Sequence, residues 1–270
     1  MRESPDVRVD TEVQLGGGTA NRGLVVRVGA TVRRPQNPDS GSVHALLAHL
    51  ERTGFDGAPR FLGEDHVGRE VLSYVEGDVP VQPTPDWALT DDALVSVAVL
   101  LRRYHAAVTD FDPSPLRWHT RVPDRYRGSV VSHNDPNLDN VVFRDGAAAA
   151  LIDFDLASPG SVEWDLASAA RLWVPLRDPQ DTPPSVVDRV PERLRVFLDA
   201  YGSSRRSRQE VVEAVPVVHT WGYDIVRDGV RDGQPGYTSF WQGQARARAA
   251  RSTSWLDRHV DVLVRAVAHD

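Results

Sequence analysis

Between residues 130 and 155 the chain runs from Val130-Val131-Ser132 through His133-Asn134-Asp135-Pro136-Asn137-Leu138-Asp139-Asn140 to Leu151-Ile152-Asp153-Phe154-Asp155. No other stretch so constrains the fold. An apolar approach delivers a polar loop of the form H-x-D-x-x-x-x-N, and residues 141–143 and 148–154 read as two strands turning at Asp145-Gly146. That hairpin brings Asp153, at the end of an apolar strand, into a cleft beside Asn140. Two carboxylates and an amide must therefore share one site. Phosphoryl transfer needs such a set: a carboxylate to orient the attacking oxygen and hard oxygen ligands for a metal ion. Asn, Asp and Pro are also common in plain turns. The strand-borne Asp153, with a glycine-rich loop over a hundred residues upstream, favours the chemical reading.

Upstream, residues 11–15 read as a strand, followed by Gly16-Gly17-Gly18-Thr19-Ala20-Asn21-Arg22-Gly23. Residues 24–28 and 30–34 are β-rich runs around a turn at Gly29. Val43, Leu46, Leu47 and Leu50 recur at helical spacing, which predicts a helix over 42–53 closed by Gly54. Short strands follow around 60–62 and 70–75. This β-β-β-α-β-β order predicts a small β-rich N-terminal lobe, residues 1–76. The proline-rich stretch 77–86 reads as a connector, and Thr90 as the cap of a helix over 91–108. Helical patterns then dominate, at about 162–172, 191–201, 208–221 and 238–267. The expected architecture is α+β and two-lobed, with a larger, mainly helical C-terminal lobe over 77–270.

Composition narrows the setting. Cysteine is absent, which excludes disulfides and thiolate metal sites, and no run approaches the ~18 apolar residues of a membrane helix. The polar, acidic first ten residues do not resemble a secretory signal, so a cytoplasmic protein without membrane partners is expected. A net charge of -7 disfavours nucleic acid as a partner. All 31 basic residues are arginine, so any role that wants a lysine must be filled otherwise.

The run S-H-N-D-P-N-L-D-N followed by L-I-D-F-D resembles the H-G-D-x-x-x-x-N and I-D-[FW]-[DE] signatures of the aminoglycoside phosphotransferase and choline kinase group, which has a protein-kinase-like fold. Trp164-Asp165-Leu166-Ala167 is similar to the group's D-L-A helix start, and Leu72-Ser73-Tyr74-Val75-Glu76-Gly77 to its lobe connector. Residues 154–176 resemble its trifolitoxin-immunity-like members. The resemblance covers about residues 11–265. It implies Asp135 as catalytic base, Asn140 and Asp153 as Mg2+ ligands, ATP or GTP as phosphoryl donor, and a small-molecule hydroxyl as acceptor. It also implies that the Ser73 carbonyl and Val75 amide meet the purine edge. Gly16, Gly17 and Gly18 would set backbone N–H groups over the phosphates.

Two departures stand out. The phosphate-gripping lysine of the third strand is replaced by Arg33, if alternation puts Thr31 and Arg33 on the cleft face, with Arg34 the second choice. The glutamate expected in the first helix is missing at mid-helix, where His44 and His49 stand; the Lys–Glu ion pair is therefore absent or rebuilt. Asp155, Glu163 and Asp224 are candidate contacts for a cationic acceptor such as an aminoglycoside. The aromatic residues Trp173, Trp221, Tyr223, Tyr237 and Trp241 line a pocket or fill the core. His133 reads as a brace for the catalytic loop and Asp165 as an anchor beneath it. Alternative readings are a metabolic kinase for an amino alcohol or sugar, and a catalytically weak binding or immunity protein on the same fold.

Overall fold

The computed structural model describes residues 11–16 and 23–268. Five antiparallel strands form the first sheet: β1 (Val13–Gln14), β2 (Val26–Val28), β3 (Thr31–Arg34), β4 (Phe61–Glu64) and β5 (Glu70–Ser73). Their order is β1-β2-β3-β5-β4, so β5 is zipped to β3 with Arg34 directly opposite Glu70. Helix α1 (Ser40–Arg52) buries the apolar stripe Val43, Leu46, Leu47 and Leu50. Gly54, at φ 76°, then turns the chain so that Phe55 N–H closes on the Leu50 carbonyl at 2.9 Å.

After the connector comes α2 (Asp91–Ala107), capped by the Thr90 hydroxyl, which accepts from Ala93 N–H. A two-stranded ribbon, β6 (Val130–Ser132) with β9 (Ser158–Gly160), and the hairpin β7 (Val141–Arg144) with β8 (Ala147–Leu151) carry the polar loop. Asp145 and Gly146 both take positive φ, 51° and 79°, as a two-residue hairpin turn requires. The connector docks directly on this hairpin: Asp78 and Phe143 exchange backbone hydrogen bonds of 2.9 and 2.8 Å. Gly77, at φ 144°, is needed there because a Cβ would run into the Phe143 carbonyl.

The remaining helices are α3 (Val162–Trp173), α4 (Val190–Tyr201), α5 (Arg205–Arg231), α6 (Pro235–Phe240) and α7 (Arg246–Val267). One contiguous apolar core runs from α1 through α2 to α7. The helix expected over 238–267 is broken. A wide turn over Trp241–Ala245, with Gly243 at φ -74° and ψ -139°, separates α6 from α7. Strand β8 also stops earlier than expected, because Asp153 leaves the extended region for φ 62°. Among the described residues no helix is long and apolar enough to cross a membrane.

Candidate active site

The polar loop is fixed from beneath by one buried carboxylate. Asp165, fully buried on α3, accepts His133 N–H at 2.9 Å and Asn134 N–H at 2.8 Å, and takes His105 Nε2 at 3.0 Å. Asn134 is thereby held at φ 67°, a conformation Asn tolerates better than most residues. Its side chain bonds the Leu156 carbonyl, the Ser158 hydroxyl and Trp164 Nε1. His133 accepts from Asp135 N–H through Nδ1 and donates through Nε2 to the Ile152 carbonyl at 3.1 Å. Burial keeps this imidazole neutral by lowering its pKa. It is a brace, as the sequence suggested. Ile152 N–H in turn donates to the Asn140 carbonyl at 2.9 Å, so loop and strand end are tied at two points.

This frame brings Asp135, Asn140 and Asp153 into one cavity of about 410 Å3. Asn140 Nδ2 donates to both the Asp135 carbonyl and Asp135 Oδ2, each at 2.9 Å, which leaves its Oδ1 as the outward acceptor. Asn137 Nδ2 bonds the other Asp135 oxygen. Burial, then the nearby charges of Asp153 and Asp139, push the Asp135 carboxyl up to about 8.

The arginine in the cleft is Arg34. Arg33 points to the other face of the sheet, 4.0 Å from Asp65. Val32 and Arg34 line the cavity, so the strand's phase is one residue from that expected. Arg34 is 6% exposed and forks across three carboxylates: Nε to Glu70 at 2.6 Å, Nη1 to Asp153 at 2.8 Å and Nη2 to Asp155 at 2.6 Å. Burial opposes its charge, but Asp153, Asp155 and Glu70 together hold the guanidinium well above its ordinary pKa. The missing helix glutamate is thus rebuilt from β5. Glu70 takes the arginine on one oxygen and His44 Nε2 of α1 on the other, at 2.7 Å. Lysine offers a point charge and cannot fork. We expect Arg34→Lys to destabilise the protein by about 2 kcal/mol, the scale of one lost charge-assisted hydrogen bond, in urea unfolding at pH 7.5. Unchanged stability would mean that the three-way contact contributes nothing.

Arg34 is shared among three carboxylates, and burial with the Asp153 charge lifts Asp155 to about 6. This carboxylate cluster, beside the outward Asn140 Oδ1 and the second Asp153 oxygen, suits a hard divalent cation that takes its remaining ligands from water and phosphate. Among the described residues no group of three or more His, Cys, Asp or Glu would hold a metal alone.

Gly16, Ser73 and Val75 line the same cavity, and among the described residues Val75 N–H forms no backbone hydrogen bond. Gly17 and Gly18 lie outside the described residues. Of the candidate acceptor contacts, only Asp155 reaches the cavity. Glu163 accepts the Ser207 hydroxyl at 2.9 Å, and half-exposed Asp224 pairs with Arg227. Trp221, Tyr223 and Tyr237 line the cavity, whereas Trp173 is core and donates through Nε1 to the Pro136 carbonyl at 2.8 Å. Sequence reasoning missed Glu70, Asp139 and three cavity arginines, Arg171, Arg177 and Arg248. A charge pattern shared between strands at Arg34 and Glu70 was the only signal available.

Comparison with known proteins bears on the family and the fold. Residues 116–211 match the model of the phosphotransferase enzyme family. The trifolitoxin immunity protein of Rhizobium leguminosarum bv. trifolii is 32% identical over 96% of this chain and 100% of its own. Among solved structures, a choline/ethanolamine kinase family protein from Mesorhizobium loti superposes with a TM-score of 0.64 at 18% identity, over 97% of this chain and 94% of that one. The GDP complex of aminoglycoside 2'-phosphotransferase-IIIa gives 0.57 at 14% identity, over 98% and 94%. With a kinase-like small sheet and larger helical part, and a full-length relative of this similarity, the chain belongs to the phosphotransferase enzyme family.

Proposed function

We propose that this protein transfers the γ-phosphoryl group of ATP or GTP to a hydroxyl of a small molecule. The observation that carries the reading is the double tie from His133 and Asn140 to Ile152, which holds Asp135, Asn140 and Asp153 in one cavity with Arg34. The acceptor oxygen attacks the γ-phosphorus, its proton passes to Asp135 in its ionised form, which the charge of a bound Mg2+ would favour over the protonated form of the empty cavity, and the bond to the β-phosphate oxygen breaks to release nucleoside diphosphate. Asn140 Oδ1 and Asp153 would hold Mg2+, which offsets phosphate charge when bound. Arg34 adds a fixed positive charge beside them. Ser73 and Val75 would take the purine edge, with the glycine stretch from Gly16 over the phosphates. Catalysis on this reading is positioning plus electrostatics.

The named function of the 32% identical relative favours a second reading, a self-protection protein that neutralises a toxin by binding it or by modifying it. Nucleotide response separates binding from chemistry. We expect Mg2+-dependent thermal stabilisation by ATP or GTP that disappears in Asp153→Ala. No shift with either nucleotide at millimolar concentration would leave the binding-only reading in possession.

A further inference from the structure

The wall of the cavity facing away from the small sheet is basic. Arg171 on α3, Arg177 just after that helix and Arg248 on α7 converge there. Their Nε atoms are all shut off from solvent and without a hydrogen-bond partner. Among the described residues, the Arg171 and Arg177 guanidinium groups form neither a hydrogen bond nor an ion pair. Arg248 reaches Asp181 only at 3.5 Å, and that carboxylate is already held by Arg251 at 2.7 and 3.0 Å. Arg171 and Arg177, facing each other and Arg248 with no ion-pair partner of their own, are costly to bury. Burial and then repulsion from Arg248 and Arg171 bring Arg177 down to about 10, so it stays charged near neutrality.

Their surroundings neutralise them only in part, since Asp135 acts on Arg171 and Asp181 on Arg177 through charge without a hydrogen bond. His219, also on this wall, is pressed down to about 4 by burial and by Arg171, so it is neutral. Of the cavity's carboxylates, Asp153 and Asp155 hold Arg34, and Asp135, which acts on Arg171 through charge alone, is hydrogen-bonded by two asparagines. Glu163 and Asp224, the other candidate contacts for a cationic acceptor, are outside the cavity lining and pair with Ser207 and Arg227. The cavity thus carries an acidic cluster at Asp153 and Asp155, felt by Tyr237, and a basic wall with Tyr223 beside Arg171 and Arg177.

We propose that the acceptor is an anion: a hydroxyl compound bearing a carboxylate or a phosphate or sulfate ester, gripped by Arg171 and Arg177 with its hydroxyl toward Asp135. Arginine forks match planar and tetrahedral oxyanions alike. The inference rests on the phosphotransferase reading for the acceptor's role, and on the unpaired arginines alone for the anion site.

The test uses the full-length protein. Sodium sulfate, against sodium chloride at matched ionic strength, is expected to raise the Tm of wild type, and to do so equally in the presence of saturating magnesium and a non-hydrolysable ATP analogue. Arg171→Met and Arg177→Met are each expected to weaken sulfate affinity by about tenfold or more, the loss of one charge-assisted contact, with Arg171→Lys recovering part of it. Because each Met removes an unpaired buried charge, neither variant is expected to be less stable without sulfate. Sulfate that competes with the ATP analogue belongs to the nucleotide's own phosphates and overturns the proposal, as does a sulfate response untouched by both substitutions. In turnover, glycerate and glycerol 3-phosphate separate the carboxylate from the phosphate form. Phosphorylation of choline or kanamycin but of neither anion overturns the proposal and leaves phosphotransfer standing. Arginine-dependent sulfate binding with no response to either nucleotide keeps the anion site and removes the phosphotransfer reading.

Discussion

Asp135→Ala is expected to lower turnover by about 10²- to 10⁴-fold, the range a positioned general base contributes, while the Mg2+-dependent nucleotide shift persists. The carboxylate is the group best placed to take the acceptor proton: it lines the cavity beside Asn140, which holds it by side chain and backbone alike. Asn140 and Asp153 remain in the variant, so the proposed ligands for the cation are kept. Turnover within tenfold of wild type would remove Asp135 from the mechanism. Simultaneous loss of nucleotide binding would recast it as part of the cation site.

The same substitution has a signature in stability. The folded protein holds the Asp135 proton up to about 8, against about 4 in an unfolded chain. Between those values the unfolded state releases a proton that the folded state keeps, so this group makes stability fall as pH rises from about 4 to about 8. In Asp135→Ala that contribution is gone. The nucleotide-free variant should therefore lose less Tm between pH 5 and pH 8 than wild type, a difference thermal unfolding reads directly. Identical slopes would mean that the carboxyl is not held protonated.

The polar loop, the hairpin and the lobe character were legible because they are local. Loop residues at fixed spacing, a two-residue turn and helical stripes each lie within a few turns of chain. What was misread depends on partners distant in sequence. Alternation shows that Arg33 and Arg34 face opposite ways; which of them faces the cleft is decided by pairing with β5, where Arg34 meets Glu70 across 36 positions. The substitute for the helix glutamate was hidden for the same reason, since it arises from a strand. Three-residue strands such as β6 and β9 are too short to show a period. The break before α7 follows from Gly243, which a helical pattern tolerates on paper. The basic wall draws single arginines from three separate segments, so only folding assembles it.

Asp165→Ala is expected to be the most damaging substitution for folding. Its two oxygens serve two main-chain N–H groups of the polar loop and one imidazole nitrogen, at 2.8 to 3.0 Å and with no exposure to water. Each buried donor left unpaired costs about 1–3 kcal/mol, so a total near 5 kcal/mol is comparable to the whole stability of many domains. The variant should be largely unfolded or should melt far below wild type. Burial alone would raise this carboxyl's pKa, yet the hydrogen bond and charge of His105 with the His133 N–H hold it below the ordinary value. Its stabilisation is therefore present above about pH 4 and is lost as the pH falls further. Asp165→Asn separates anchoring from mere packing. An amide fills the same space, but its one oxygen cannot accept from both sides, and its NH2 opposes either the His133 or the Asn134 N–H. We expect the Asp165→Asn protein to be folded, with circular dichroism close to wild type and kcat lower by about 10²-fold, the effect of a small misplacement of reacting groups. KM for the nucleotide should change little, because Ser73 and Val75 lie on the other lobe's strand end and do not touch this network. A drop in stability with kcat unchanged would show that Asp165 supports the core without setting the position of Asp135.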